Sequence, residues 1–238
     1  MIAVGIIPAR GGSKGIADKN VAMVAGRPLI AWTCAAAHAS RLLTRVVVST
    51  DDDRIAEAAR RSGVDAPFRR PPELSADETP MLPVLRHGIA EVERAHGGID
   101  VVVLLQPTSP LRRGEHIDAA LELLRDSGAD SVVTVVPVPH RFGPASVMRI
   151  DGGRLVPYEP GATATRRQDK PPLYARNGPA VLAIRRDVLL SCDSLYGGDC
   201  RALVMSPEDS IDIDTLWELE IAGFELERRA RAGRLAER

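Results

Sequence analysis

The sequence predicts a doubly wound α/β fold on a mostly parallel sheet, and three observations carry that reading. Short, β-branched apolar runs recur at residues 2–7, 45–50, 100–105 and 131–137. Each is too short for an ordinary helix and too continuously apolar for a strand with one wet face, so each reads as a buried strand. Segments with helical spacing stand between the runs, the alternation that builds a parallel sheet. The runs break into polar loops, and in open α/β sheets ligand sites lie at the carboxyl ends of strands. A chain of 238 residues suits one such domain with a small appendage.

Pro8 closes the first strand, because it cannot donate to a ladder. Arg10, Gly11, Gly12, Ser13, Lys14 and Gly15 follow, with Lys19 and Asn20 just beyond. Glycines let backbone N–H groups approach an anion closely. Arg10, Lys14 and Lys19 bring cations at short spacing, and Ser13 adds a hydroxyl donor. Dense donors and cations without bulk suit a triphosphate; the plain alternative is a solvated basic turn. Neither G-x-x-x-x-G-K-[ST] nor G-x-G-x-x-G occurs in this loop, which argues against a Walker ATPase and a typical Rossmann dehydrogenase.

Taken in order, Pro28 opens an Ala-rich helix over 29–39. The strand at 45–50 ends in Asp51, Asp52 and Asp53, ahead of a helix over 54–62; Asp51 and Asp52 either cap that helix or join a site. Residues 66–71, with Arg69 and Arg70, read as a short third strand, and 79–94 as an amphipathic helix. After the strand at 100–105 come Gln106, Thr108, Ser109 and Arg112, stiffened by Pro107 and Pro110. Polar groups on a rigid loop at that edge suit a hydroxylated ligand; the bland reading is a turn before the helix 114–127. Beyond the strand at 131–137 the pattern changes. Residues 139–172 are rich in Pro, Gly and Arg, with one hairpin turning at Asp151-Gly152-Gly153, and read as an excursion from the sheet. A strand at 180–184 follows. Asp212 and Asp214 then precede a helix over 216–231. Residues two apart in extended chain share a face, and two such carboxylates repel unless a cation neutralises them. With a triphosphate nearby, oxygen ligands suit Mg²⁺. Capping competes, since Thr215 and Glu218 form a capping box. The end of the chain, 225–238, reads as a solvated helix that frays.

Composition narrows the partners. A net charge of −1 argues against a general nucleic-acid binder, so any cationic site is local. Cys34, Cys192 and Cys200 lack metal spacing, and their odd number with no leader segment suggests a cytoplasmic setting. No apolar run approaches the ~18 residues of a membrane span.

The run 7–15 with Lys19 and Asn20 resembles the nucleotide-binding signature of the acylneuraminate cytidylyltransferases, and further motifs recur in that family's order along nearly the whole chain. The resemblance implies the nucleotide-diphospho-sugar transferase type of fold. It implies an enzyme that joins CTP to a nonulosonic acid, a small acidic sugar, and releases pyrophosphate. It assigns CTP binding to Arg10, Gly11, Gly12, Ser13, Lys14, Lys19, Asn20 and Arg70, and the sugar to Gln106, Thr108, Ser109, Arg167, Gln168 and Asn177. Arg10, Lys19, Asp212 and Asp214 become catalytic, the last two holding Mg²⁺ or another divalent cation. The excursion becomes the dimerisation segment of a homodimer, its tip reaching toward the partner's site. One departure stands out: the family commonly has Tyr where this chain has Val181. A missing hydroxyl there keeps open CMP transfer to another acceptor, such as a phosphonate. A non-catalytic nucleotide-binding module is the other alternative, which the intact loop and Asp-x-Asp disfavour.

Overall fold

The computed structural model describes residues 1–159, 166 and 171–233. Strand β1 (Ala3–Pro8) is buried along its whole length. The phosphate-type loop, a small ribbon of β2 (Met23–Val24) and β3 (Arg27–Pro28), and helix α1 (Leu29–His38) follow. Then come β4 (Arg45–Ser49), α2 (Asp53–Arg61), α3 (Met81–His96), β5 (Val101–Leu104), α4 (Gly114–Ser127) and β6 (Ser131–Pro137). The remaining elements are a hairpin of β7 (Met148–Asp151) and β8 (Arg154–Pro157), then β9 (Tyr174–Arg176), β10 (Leu182–Arg185), α5 (Arg186–Ser191), β11 (Cys200–Val204) and α6 (Leu216–Arg231).

Among the described residues the main sheet has the order β11-β6-β10-β5-β1-β4, with β9 also on β6. Strand β1 pairs parallel with β4 on one side and β5 on the other, so successive crossovers leave it in opposite directions. That places a switch point at its carboxyl end, where such sheets open a crevice. Strand β10 runs antiparallel between β5 and β6, and β11 returns to the common direction on β6. The sheet is therefore mostly parallel in direction.

Apolar residues fill both faces. Ile30, Cys34, Ile55, Ile117, Leu121 and Leu124 from α1, α2 and α4 pack one side; Leu85, Ile89, Val92, Val188 and Leu189 from α3 and α5 pack the other. A smaller cluster of Leu29, Trp32, Leu111, Ile213, Ala222 and Leu226 seats α6. This helix is further fixed by Glu225, which Arg228 and then Arg229 pull down to about 2 through hydrogen bonds. No described helix is long and apolar enough to cross a membrane.

The expected third strand is replaced by two isolated bridges, Val47 to Asp65 and Thr50 to Arg69. Pro67, Pro71 and Pro72 supply no N–H groups, so a continuous ladder cannot form. Strand β11, helix α5 and the short β9 were not foreseen.

The excursion leaves and rejoins the domain where the Val138 N–H donates to Leu173 O at 2.8 Å. Gly152 and Gly153, both at positive φ, make the hairpin turn. The register pairs Met148 with Pro157 and Ile150 with Leu155. Those four residues share one apolar face, on which Ile150 is 79% and Leu155 66% exposed.

Candidate active site

Five segments converge at the carboxyl edge of the sheet: loop 9–20 after β1, residues 50–53 after β4, loop 106–112 after β5, the stretch 177–181 before β10, and residues 210–215 before α6. Their order follows from the topology, since three of these segments follow parallel strands and the stretch before β10 reaches the same edge because that strand is reversed.

The first loop is locked onto the last segment. The Lys19 ammonium donates to Ile213 O at 2.7 Å and lies 3.3 Å from Asp214 Oδ1. A Cβ on Gly15 would come within 3.0 Å of the Asp214 carbonyl, so a glycine allows this approach. Asn20 is buried and its amide donates to Arg10 O at 2.9 Å, which holds the loop's curve. Ser13 is half-buried, and Lys14 is exposed at the rim. The Gly11 N–H donates to Asp51 Oδ1 at 2.9 Å, while Gly12 takes a φ of +63°. Asp52 accepts from Arg54 N at 2.7 Å as the N-cap of α2. The two aspartates thus divide the roles that the sequence left open.

Of the paired arginines, Arg69 lies on the surface against Asp53, whereas Arg70 is 4% exposed. The Arg70 N–H donates to Thr50 O at 2.8 Å and its guanidinium to Ser49 O. Burial lowers this arginine to about 10.

A second buried arginine, Arg112, organises the sugar-side loop. It donates to Gln106 O at 3.0 Å, Ala180 O at 2.9 Å and Thr33 Oγ1 at 2.6 Å. Burial lowers it to about 9. Gln106 and Thr108 stay half-buried above it, and Ser109 is buried. The Thr108 carbonyl accepts from Ile213 N at 2.8 Å, tying this loop to the Asp-x-Asp stretch. Gly178, at φ +113°, lies where a Cβ would meet Ser109 Oγ at 3.0 Å and Asp212 Oδ1 at 3.3 Å. The Asn177 amide is committed to Ser210 Oγ at 3.0 Å, so its observed work is to fasten the stretch 177–181 to the acidic segment.

Asp212 and Asp214 flank Ile213, which is fully buried in the α6 cluster. The alternation turns both aspartates away from that cluster. Burial raises Asp212 above the ordinary carboxylate value, against a hydrogen bond from Thr108; Asp214 and Glu218 push the same way, and Lys19 opposes them. Asp212 Oδ1 is buried with no hydrogen-bond partner among the described residues. Capping is present as well: Thr215 and Glu218 form the reciprocal box at the start of α6.

Two expectations need correction or delimitation. Val181 is fully buried in the main core, and its N–H and C=O are both held by Thr134. Its side chain packs in the core rather than lying exposed at the site. Arg167 and Gln168 lie outside the described residues. Sequence reasoning passed over Arg112 as a pillar, Thr134 as the clamp on the Val181 backbone, and Asp77, whose carboxylate bridges Arg10, at 2.5 Å, and Lys14. Arg112 was visible in the sequence only as one polar group of the loop after β5, with nothing to mark it as buried; Asp77 carried no signal.

The sequence model of the family described as cytidylyltransferase matches residues 4–189. The chain is 34% identical over 234 residues to the CMP-N,N'-diacetyllegionaminic acid synthase of Legionella pneumophila, covering 97% of this chain and 99% of that one. It is 38% identical over 213 residues to N-acylneuraminate cytidylyltransferase A of Danio rerio, covering 88% of this chain and 47% of the relative, so it spans about half of that longer protein. Among solved structures, a CMP:2-keto-3-deoxy-manno-octonic acid synthetase complexed with CTP superposes with a TM-score of 0.67 at 20% identity, over 99% of this chain and 100% of the other. A 4-diphosphocytidyl-2C-methyl-D-erythritol synthase from Anaerococcus prevotii gives 0.62 at 15% identity, over 95% and 96%. These two likenesses concern the fold.

Proposed function

The chain belongs to the cytidylyltransferase family, and from that premise we propose that it activates a nonulosonic acid of the sialic or legionaminic type with CTP, giving a CMP-sugar and pyrophosphate. The carrying observation is the Lys19 bridge: one buried-stem cation joins the glycine loop to the Asp-x-Asp stretch through Ile213 O and Asp214. A triphosphate laid along the loop therefore ends beside two carboxylates.

In the proposed reaction the anomeric hydroxyl oxygen bonds to the α-phosphorus, the bond from that phosphorus to the β-phosphate bridge oxygen breaks, and the hydroxyl proton is lost. Arg10, Lys14 and Lys19 bind the triphosphate and oppose the negative charge that builds on the phosphoryl oxygens. Gly11, Gly12 and Ser13 let the chain lie close to the phosphates, and Asn20 holds both the loop and the ribose. Arg70 serves the base. Gln106, Thr108 and Ser109 face the sugar, with Asn177 shaping that side. Arg167 and Gln168 are assigned to the sugar acid from the sequence motif.

The acidic pair fits a hard divalent cation. Asp212 offers a buried oxygen without a partner among the described residues, and the Asp214 charge lies near it. Among the described residues no group of three or more His, Cys, Asp or Glu side chains is arranged for a metal. Two carboxylates plus phosphate and water oxygens are what Mg²⁺ ordinarily takes. When bound, such an ion supplies Lewis-acid stabilisation of the phosphoryl oxygens.

We assign the hairpin as a homodimer contact in a cytoplasmic enzyme. A two-stranded hairpin is marginal alone, and the exposed Ile150 and Leu155 face needs a cover. The deciding experiment measures pyrophosphate release with CTP and a panel of nonulosonic acids, using ATP and UTP as controls. Release that requires both CTP and such an acid is expected; CTP-dependent release only with a phosphonate acceptor overturns the acceptor assignment.

A further inference from the structure

Carboxylates from three separate segments sit on the donors of the glycine loop. Asp51 holds the Gly11 N–H and Asp214 holds Lys19. Asp77 bridges Arg10 and Lys14, one carboxylate oxygen to each. The three differ in how firmly they are placed. Asp51 stands at the head of α2, next to its N-cap, and Lys19 keeps a second bond to Ile213 O. Asp77 lies instead in the connection between the turn 72–74 and α3. Its carboxylate lies beside solvent, and its Lys14 partner is 81% exposed. Lys14 and Arg10 in turn hold Asp77 below the ordinary carboxylate value, so it is an anion at neutral pH.

Arg10 and Lys14 are the cations that the proposed function gives to the triphosphate, and the present inference rests on that reading. A phosphoryl oxygen and the Asp77 carboxylate carry like charge and cannot sit together against the same two cations without repulsion. We propose that Asp77 is a specificity-determining internal anion that a ligand must displace from Arg10 and Lys14. A ligand with one small charged group exchanges one ion pair for another and gains little. A triphosphate reaches Arg10, Lys14 and Lys19 together, so its linked phosphates displace the carboxylate as a unit. The device therefore rejects weakly charged anions and admits CTP, while its exposed connection lets the carboxylate move aside.

The test is calorimetric binding of CTP, CMP and pyrophosphate to wild type, Asp77→Asn, Asp77→Ala and Asp77→Glu, with melting curves to establish folding. Asp77→Asn and Asp77→Ala should bind CMP about fivefold tighter, the equivalent of roughly 1 kcal/mol, and pyrophosphate and CTP by smaller factors. Discrimination between CTP and CMP should fall, and Asp77→Glu should restore it. Steady-state kinetics should show KM for CTP falling in both neutral variants with kcat little changed. Weaker binding of all three ligands by the neutral variants would mean that Asp77 arranges the cations rather than competing with ligand. Unchanged discrimination overturns the proposal equally. If Asp77→Asn does not fold, Asp77→Ala decides on the same measurements; if neither folds, Asp77 is a structural residue and the proposal fails. Wild type that binds no CTP defeats the functional reading itself, whereas wild type that binds CTP without tightening in the variants defeats this inference alone.

Discussion

Replacing Asp212 by Asn should move activity and stability in opposite directions. Asp212 is raised by burial and its Oδ1 has no partner among the described residues. A neutral unsatisfied group in such a position costs about 1–3 kcal/mol, and a charged one more. The charge of Arg112 is near enough to feel Asp212, yet the net direction for Asp212 remains upward. Removing the charge at nearly constant volume should thus return about 1 kcal/mol, roughly 2–4 °C in melting temperature for a domain of this size. The pH sign follows from the raised value. Below the unfolded carboxylate range both states are protonated and the variant has no advantage; as pH rises past that range, ionisation costs the wild type stability, so the advantage grows with pH and is complete above the raised value. Turnover should fall at least about tenfold, because losing one of two cation ligands removes part of a contribution of several kcal/mol. Differential scanning calorimetry at pH 3 and pH 7, paired with pyrophosphate release across a Mg²⁺ titration, reads both effects. A variant that melts lower than wild type at pH 7 and turns over normally would refute the reasoning and reduce the acidic pair to helix capping.

Lys19→Ala should lower kcat more than it weakens CTP binding, since its charge is fixed beside Asp214; Lys14→Ala should chiefly raise KM, and equal effects in both would contradict the division. Asp209 accepts from Arg229 at 2.7 Å and Arg113 at 3.2 Å. Burial pushes it upward, but the Arg229 hydrogen bond and the Arg113 charge outweigh that and leave it below the usual carboxylate value. Asp209→Ala should cost about 1–2 kcal/mol in urea unfolding, because Arg229 loses one charged hydrogen-bond partner while keeping Glu225 at 2.8 Å; the wild-type contribution is present above the ordinary carboxylate range and fades as pH falls through the depressed value, so the gap between the proteins should narrow in acid. Light scattering should give about twice the 25.6 kDa chain mass, and Ile150→Asp with Leu155→Asp should halve it; a wild-type monomer at micromolar concentration would remove the hairpin's role.

The sequence was readable where one constraint decided a segment. Strand β1 is buried on both faces, so its apolar run is continuous, and Gly15 is needed because the Asp214 carbonyl lies against it. The Asp212–Asp214 alternation was legible because Ile213 between them must enter the core. Elements fixed by tertiary contact left weaker traces. Strand β11 is an edge strand with mostly exposed side chains, and its Cys200–Val204 stretch shows no buried-strand run. Residues 66–71 have strand-like content, but their prolines permit only isolated bridges. The Val181 reading rested on a comparison of residue types with the family, which carries no information on where the side chain packs; here it is buried, with Thr134 bonding its backbone through both its N–H and its hydroxyl. Asp77 meets Arg10 only after the chain has folded back through β4 and the arginine segment, a distance no local pattern spans.

The position of β10 also sets an order of assembly. It lies between β5 and β6, both of which precede it in sequence. During synthesis, β5 can join β1, and β6 can form, but the two cannot become one sheet until residues 182–185 have emerged and slipped between them. The half built on β1, β4 and β5 must therefore wait with the β5 edge open while about 80 further residues are made, some 4–16 s at ordinary elongation rates. That edge is apolar and unpaired during the wait, the condition under which nascent chains aggregate or recruit chaperones. Insertion of β10 then joins the two halves of the sheet and, through the residues just before it, brings the sugar-side stretch against Arg112, so sheet closure and assembly of the sugar side are the same event, and the acidic stretch 210–215 docks after it.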